Sequence, residues 1–381
     1  MEWWHLGMTL MVAFIVEYVR RYGRRNALLK ARGAPPGPPV PTNFINPFAY
    51  ELHLLKTRFT KNFTNMGEVL LNEMLLEAAK HPEGVFRFFL SFTPVTVLTR
   101  AEAVKSLLGS NTLLTKASFY KLIEPWLGTG LLTSTNGKWK SRRKMLTPSF
   151  HFDILKEFAT VFSEQSEIMT SLIENKVGQK VDIMKYLKNS TLDIICETAM
   201  GVKINAQTHN SDYHKAQTVV GMKFMKRCLS PWQWPAWLYR TTMDGRTFFK
   251  NLRTVHSFTM KVIEERMHEH VTKMARGEDP LSGKQRKAFL DLLISEQLKN
   301  KSMELEDIRE EVDTFMFEGH DTTAVGTGWA LFLLGHNPDV QTKLHEEIDM
   351  VFGSDRERLI TIDDVKQMKY LEAVIKVICK T

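Results

Sequence analysis

An acidic, hydroxyl-rich segment lies in the middle of a long stretch whose apolar residues recur at helical spacing. The stretch runs from about Glu306 to His336 without a proline. Roughly thirty residues of helix would be about 45 Å long, enough to cross a whole domain. The centre of the stretch, residues 318–323, reads Glu-Gly-His-Asp-Thr-Thr. Buried charges are costly unless paired, and a glycine weakens a helix by about 1 kcal/mol relative to alanine. The sequence therefore predicts a central helix with a functional site at its midpoint.

The residue types at this midpoint suggest separate roles. Gly319 has no side chain, so a flat group could lie against the helix there. Thr322 can bond back to a helical carbonyl and open the helix locally. Asp321 beside it can then move protons through that opening. The alternative is a charged helix face exposed to solvent, and the segment alone does not decide between the two.

A second motif lies on a shorter predicted helix that follows a glycine-broken loop. Trp139 and Arg143 are four residues apart, so they share one face of that helix. An indole N–H beside a guanidinium suits a planar carboxylate. The neighbouring Lys140, Arg142 and Lys144 form either a solvated basic face or a docking surface for an acidic protein.

The first 41 residues predict attachment to a membrane. Trp3 to Val19 is apolar apart from His5 and Glu17, and its length of about 25 Å is at the short end for a bilayer core. Arginines and lysines follow at once, which keeps the downstream chain in the cytoplasm. Residues 1–34 are therefore predicted to be an uncleaved anchor with a basic flank, and the proline-rich residues 35–41 a stiff hinge. The alternative is an amphipathic surface helix or a leader segment.

The remaining pattern predicts a chain that is mainly helical. The few strand signals include Val85–Leu90 and Val95–Leu98, around a turn. Prolines and tryptophans between Cys228 and Arg246 exclude a regular helix there. Asn337 followed by Pro338 indicates a helix start, with the asparagine as the cap.

Charge and cysteine content narrow the classes of protein. The net charge of +8 suits an anionic membrane surface or an acidic protein partner, and no nucleic-acid-binding motif is present. The spacing of Cys196, Cys228 and Cys379 gives neither a zinc pattern nor a disulfide framework. Cys196 lies in an apolar run, so we expect it to be a packed core thiol.

In combination these residues resemble a cytochrome P450. The Gly-His-Asp-Thr-Thr sequence at 319–323 is similar to the oxygen-binding groove of that family's long central helix. Glu318 just before it resembles family four, in which this glutamate can form an ester to a haem methyl. The pair Trp139 and Arg143 resembles the pair that binds a haem propionate. The proline hinge after the anchor is similar to that of membrane-bound members.

The resemblance implies a mainly α cytochrome P450 fold with a small β-sheet, over residues 42–381. It implies haem iron as the cofactor and electrons from NADPH through a reductase. The reaction would insert one oxygen atom from O2 into a lipophilic, fatty-acid-like substrate. The implied location is the endoplasmic reticulum membrane, with the catalytic body facing the cytoplasm.

The resemblance also implies roles for individual side chains. Asp321 and Thr322 are expected to be catalytic, relaying protons toward bound oxygen. The implied cofactor-binding residues are Trp139, Arg143, Glu318, Gly319 and Thr323.

The resemblance ends near Lys376. Family members continue there into a Glu-x-x-Arg motif, whereas this chain has Val377 and Lys380 at the two positions. The later loop, with the cysteine thiolate that binds iron, is also not found. We therefore expect no metal ligand and a fold that is incomplete at the C-terminus. The alternative hypothesis is a truncated, catalytically inactive membrane-bound product without an iron ligand.

Overall fold

The computed structural model describes residues 66–90, 93–150, 152–209, 212–278, 288–301, 303–355 and 358–378. The predicted anchor at 1–34 and the hinge at 35–41 lie outside these residues. Within the described ranges, no helix combines the length and the apolar character needed to cross a bilayer.

Helices dominate the described chain, and one small antiparallel sheet accompanies them. The strands are β1 (Val85–Leu90) and β2 (Thr93–Leu98). The α-helices are α1 (Met66–Lys80), α2 (Ala101–Leu108), α3 (Glu124–Leu127), α4 (Asn136–Leu146), α5 (Phe152–Glu174), α6 (Ile183–Ile195), α7 (Asp212–Cys228), α8 (Ala236–Thr241), α9 (Met243–Ala275), α10 (Phe289–Asn300), α11 (Leu305–His336), α12 (Pro338–Phe352), α13 (Ile362–Gln367) and α14 (Lys369–Ile378). Short 3-10 turns lie at Ser118–Leu122, Thr147–Phe150 and Pro231–Gln233, and a π turn at Cys196–Met200 follows α6. The predicted mainly helical fold with a small sheet is confirmed. The exclusion of a regular helix between Cys228 and Arg246 is wrong in part, because α8 and the start of α9 lie there, after the last proline of that segment, Pro235.

The two predicted strands pair with each other. They run antiparallel, with Val85 opposite Leu98 at one end and Leu90 opposite Thr93 at the other. The second strand begins two residues earlier than predicted, because Thr93 and Pro94 belong to the ladder. A two-stranded sheet consists of edge strands alone, and edge strands accept proline.

The described residues fall into two compact units. The first consists of the described part of Met1–Leu114 together with Leu229–Trp232, and it contains α1, β1, β2 and α2. The second begins at Thr115 and contains α3 to α14. All the candidate site residues belong to this second unit.

The core of the second unit includes buried residues of α6, α9 and α11. In α11, Ile308, Val312 and Met316 are completely buried and recur every four residues, as the sequence pattern predicts. Cys196, just after α6, is also completely buried. Burial raises the pKa of its thiol, so the prediction of a packed core thiol is confirmed.

The residues at the starts of α9 and α12 include signals for helix initiation. At the start of α9, the Thr242 hydroxyl accepts a hydrogen bond from the Gly245 N–H at 3.0 Å, as a capping threonine does. At the start of α12, Pro338 is the first helical residue, as predicted. Asn337 is the N-cap residue, as predicted, but its side chain makes no capping hydrogen bond. Asn337 Nδ2 instead donates to the carbonyl of Leu333 at 2.8 Å, in the last turn of α11.

Candidate functional site

The acidic, hydroxyl-rich segment lies at the middle of α11, which is helical without interruption from Leu305 to His336. Thr322 Oγ1 donates to the carbonyl of Glu318 at 2.6 Å, and Thr323 Oγ1 donates to that of Gly319 at 2.9 Å. Both threonines bond to the carbonyl four residues back, and the helix stays intact around these bonds. The predicted local opening of the helix at Thr322 is therefore not observed.

Gly319 permits a close approach between α11 and α6. A Cβ atom at Gly319 would lie 2.6 Å from Cδ1 of Ile195, closer than real contacts allow. The space beside this glycine is filled by α6, so the prediction that a flat group lies against Gly319 is not supported. Thr323, four residues on, shares this side of the helix and is exposed.

A different face of α11 is open to solvent. Successive helix residues are turned by about 100°, so Glu318 and Thr322 lie on one face. Val325 and Trp329 continue that face at helical spacing, and both are exposed. We call these four residues the open face of α11. It combines an acid, a hydroxyl and apolar surface.

The acid of the open face has a distinct electrostatic setting. Glu318 is half-buried, and burial raises the pKa of its carboxyl, while the charge of Lys116 opposes that rise. The adjacent Thr115 donates to Asn136 Oδ1 at 3.3 Å, at the first residue of α4. The segment at 115–116 therefore connects the start of α4 with the middle of α11.

Asp321 and His320 are both held by α6. Lys188 Nζ lies 2.9 Å from Asp321 Oδ1, with both side chains partly exposed. His320 is completely buried, and its Nδ1 donates to the Met316 carbonyl at 2.6 Å. Thr191 of α6 donates to the His320 carbonyl at 3.0 Å. These contacts fix the rotation of α11 about its own axis, so the open face is directed away from α6.

Helix α4 carries two residue pairs, each spaced by four, on adjacent faces. Trp139 is half-buried and Arg143 is exposed, and they share one face as predicted. No acidic side chain of the described chain pairs with Arg143. The second pair, Lys138 and Arg142, is directed at α11 and was not predicted as a site.

Three acids in the first turns of α11 bind the second pair. Arg142 Nη2 lies 2.5 Å from Asp307 Oδ1, and its Nε lies 3.8 Å from Glu311 Oε1. Lys138 Nζ lies 3.4 Å from Asp307 Oδ1 and 3.2 Å from Glu310 Oε2. We call these five residues the α4–α11 ion cluster.

This cluster corrects one reading of the basic residues on α4. Arg142 is only 8% exposed because its guanidinium is directed toward the acids of α11. The hypothesis that it belongs to an exposed docking surface is therefore wrong. Lys140 and Lys144 are exposed, as that hypothesis requires of them.

The loop between α3 and α4 rests directly on α11. The Leu131 N–H donates to Glu311 Oε2 at 3.0 Å. A Cβ atom at Gly130 would lie 2.8 Å from the carbonyl oxygen of Glu310. Glycine is needed at this position because two backbones approach each other closely.

Glu311 gives the protein a predictable response to pH. It is 1% exposed, and burial raises its pKa to about 7, against the opposing effects of the Leu131 N–H and the Arg142 charge. The folded protein therefore binds this proton more tightly than the unfolded chain, where the ordinary value is 4.5. This group's contribution to the free energy of unfolding must fall as pH rises between those values, by at most about 1.4 kcal/mol per pH unit. Glu311→Gln should remove that fall, measured by denaturant unfolding between about pH 5 and 7.

A matched control for this prediction is Glu264→Gln, because Glu264 is exposed on α9. We expect its pH dependence of unfolding to follow that of the unsubstituted protein. The same pH dependence in Glu311→Gln would contradict the assignment of a buried proton to Glu311.

Sequence reasoning missed Lys138, Lys188, Asp307 and Glu311, because their partners are distant in the chain. The one local signal is the spacing of Lys138 and Arg142, which repeats that of Trp139 and Arg143 one residue earlier. In the part of the chain that the structure describes, no cluster of three or more His, Cys, Asp or Glu side chains could hold a metal ion.

Comparison with known proteins identifies the family. The sequence profile of the family described as Cytochrome P450 matches residues 57–376. The chain belongs to the cytochrome P450 family. It is 45% identical over 301 residues to Cytochrome P450 4V2 of Mus musculus, a match that covers 77% of this chain and 57% of that protein. It is 35% identical over 378 residues to Cytochrome P450 4c21 of Blattella germanica, covering 97% and 72%. These relatives show a cytochrome P450 of family four.

The fold of this cytochrome P450 agrees with a solved member. It matches the crystal structure of the cytochrome P450DA haem domain with a TM-score of 0.69 at 20% identity, covering 90% of this chain and 69% of that one. The chain spans 57% of the length of the mouse 4V2 relative.

The side chains of this cytochrome P450 fit the haem that its family implies. Trp139 and Arg143 present a neutral and a cationic N–H donor on one face, which suits the carboxylate of a propionate. The open face of α11 offers exposed apolar surface to a flat ring, with the half-buried carboxyl of Glu318 beside it. The donor set therefore matches a group that is apolar over its plane and anionic at its edge.

Proposed function

We propose that the protein is a haem-dependent monooxygenase that inserts one oxygen atom from O2 into a lipophilic, fatty-acid-like substrate. The observation that supports this is that a chain of family four has two helix faces whose side chains suit a haem. One carries Trp139 and Arg143 on α4, and the other carries Glu318 and Thr322 on α11. No comparison favours the alternative of an inactive membrane-bound product.

The residues of α4 and α11 hold the cofactor in this proposal. Trp139 and Arg143 would hold a haem propionate, and the carboxyl of Glu318 would hold the edge of the ring. When bound, the haem supplies the iron at which oxygen is activated. Thr323 is exposed and stays a predicted contact of the ring. Gly319 is left out of this set, because it packs against Ile195.

Asp321 and Thr322 move the protons. Asp321 lies at the side of α11 nearest α6, where Lys188 Nζ is 2.9 Å from its Oδ1. The hydroxyl proton of Thr322 is donated to the Glu318 carbonyl, which leaves lone pairs on Oγ1 free to accept. In this relay the Asp321 carboxylate would take a proton from solvent, to which it is partly exposed, and pass it to Thr322 Oγ1. Thr322 would release one proton toward the open face in the same exchange, so that both side chains return to their starting states. The pair therefore carries protons around the helix from its α6 side.

The remaining parts of the proposal concern partners and location. Electrons come from NADPH through a reductase, and the net charge of +8 suits an acidic partner of this kind. The apolar segment at 3–19 anchors the protein in the endoplasmic reticulum membrane. The catalytic body then faces the cytoplasm, where it meets substrates that are dissolved in the bilayer.

A reduced, carbon monoxide-treated spectrum tests the proposed function. The test protein is the longest open reading frame that contains this chain, expressed in membranes. We expect the red-shifted Soret band of a thiolate-ligated haem. Arg143→Ala should lower the haem content per protein, since it removes a charged propionate donor, whereas Arg253→Ala removes an exposed arginine of α9 and should not. Membranes that contain the protein and no haem would overturn the proposal.

A further inference from the structure

Helix α4 is built from two interleaved pairs, and each pair has a different environment. Lys138 and Arg142 contact acids of α11, while Trp139 and Arg143 are one residue further along and lie on the adjacent face. Because the two pairs are separated by a rotation of about 100° on one rigid helix, fixing the first pair also fixes the second.

We propose that Lys138 and Arg142 are positioning residues, which set the separation and rotation of α4 relative to α11. By doing so they hold Trp139 and Arg143 at a fixed place relative to Glu318. The inference rests on the proposed function, since it concerns the two helices that would hold haem. Neither residue is proposed to touch the haem.

The energetics of the ion cluster favour a stiff connection. Asp307 forms ion pairs with both basic residues, with Arg142 at 2.5 Å and with Lys138 at 3.4 Å. Arg142 is 8% exposed, so its charge has little access to water. The Asp307 side chain is 25% exposed and would keep one basic partner if the other were removed. Removing Asp307 would leave the buried Arg142 guanidinium with only the 3.8 Å contact to Glu311, which is unfavourable. The arrangement of α4 and α11 in which both basic residues keep their ion pairs is therefore the favoured one.

Glu311 joins a third element to the same cluster. Its carboxylate accepts the Leu131 N–H at 3.0 Å and lies 3.8 Å from Arg142 Nε. The loop before α4 is thus anchored to α11 at the same residue as α4 itself. Gly130 permits this, because a side chain there would meet the α11 backbone. Two basic side chains of α4 and one backbone N–H of the loop before it therefore contact α11, and together they restrict both translation and rotation of α4.

The same contacts could stabilise the fold without setting any cofactor distance, so the test needs a geometric readout. An ester between Glu318 and a ring methyl would supply one. A C–O bond would replace a C–H bond of the methyl, with hydrogen peroxide, formed from O2 and NADPH, as the two-electron oxidant that is reduced to water. The reaction would require the carboxyl to lie against the haem edge. The fraction of bound haem that stays with the protein in acid–acetone reports this position. A purely stabilising role would leave that fraction unchanged in the molecules that do bind haem.

The experiment uses the full-length protein and compares Arg142→Gln with a matched control. Lys261→Gln is the control, because Lys261 also forms an ion pair, with Glu265 at 3.8 Å, but on an exposed part of α9. We expect Arg142→Gln to weaken haem binding by about tenfold or more, the scale seen when residues behind a ligand are lost. We also expect it to lower the acid-stable fraction of bound haem. Glu318→Ala gives the zero point for that fraction.

Three further variants keep the inference falsifiable. Arg142→Lys retains the charge and should recover much of the loss. If Arg142→Gln does not fold, Lys138→Gln tests the same acids from a more exposed side chain. Asp307→Asn should reproduce the defect, and adding it to Arg142→Gln should cause little further loss, since both remove one interaction.

The outcomes separate the two ideas. Absence of haem binding in the unsubstituted protein would overturn the proposed function. Haem binding and acid-stable fractions in Arg142→Gln equal to those of Lys261→Gln would overturn the positioning role while leaving the proposed function intact. Weakened haem binding in Arg142→Gln with an unchanged acid-stable fraction would also overturn the positioning role. The ion cluster would then stabilise the fold without setting a distance to the haem.

Discussion

Replacing Asp291 by alanine should lower the free energy of unfolding by about 3–5 kcal/mol, as breaking a buried ion pair does. Asp291 is 3% exposed and accepts two hydrogen bonds from Arg266, at 2.6 and 3.0 Å. It also accepts one from His270 at 2.8 Å and one from the Ala288 N–H at 3.2 Å. Alanine would leave these donors without an acceptor inside the protein. Denaturant unfolding of the variant measures the loss.

The pKa of Asp291 supports this prediction. Burial alone would raise it, but the hydrogen bonds and charges of His270 and Arg266 outweigh that effect and hold the pKa below its ordinary value. Glu269→Ala is the matched control, since Glu269 is an exposed partner of the same Arg266, at 2.6 Å. An exposed ion pair contributes at most about 1 kcal/mol. Equal losses in the two variants would contradict a special role for the buried carboxylate.

Replacing Asp321 by asparagine should lower product formation by about 10²-fold or more, the usual contribution of a positioned proton donor or acceptor. Asparagine keeps the shape of the side chain but cannot exchange a proton. Because Asp321 lies at the α6 side of α11, haem content should stay as in the unsubstituted protein. The measurement is product formed per NADPH consumed, together with haem content.

Two variants serve as references for Asp321→Asn. Asp339→Asn makes the same chemical change at an exposed position of α12, and its product yield should be normal. Lys188→Gln removes the partner at 2.9 Å but leaves the carboxyl in place, so a smaller loss is expected. Normal product yield in Asp321→Asn would exclude the proposed proton relay. A parallel loss of haem content would assign Asp321 to structure instead.

Local pattern was sufficient for the elements that carry the site. The apolar period predicted α11 within one residue at its start, because burial of every fourth side chain is a property of the helix itself. The shared face of Trp139 and Arg143 followed from their spacing for the same reason. The strand signals at 85–90 and 95–98 were also sufficient, since alternation is local.

Local pattern failed where a side chain could choose between partners. Thr322 was expected to open the helix, yet its hydroxyl bonds to a carbonyl of an unbroken turn. The residue type allows both states, and the sequence around Thr322 does not distinguish them. Asn337 shows the same limit, since its side chain bonds back to the preceding helix instead of capping the next one.

The sequence by itself determined the family and the central helix. Only the tertiary structure decided which charged side chains form ion pairs and which do not. Arg142 and Arg143 are neighbours of the same type, but only Arg142 meets Asp307, and nothing local distinguishes them. Gly319 likewise owes its place to Ile195 on another helix. Helical periodicity is encoded within a few residues. Ion pairing and close packing depend instead on which segment, distant in the sequence, packs against a residue in the folded protein.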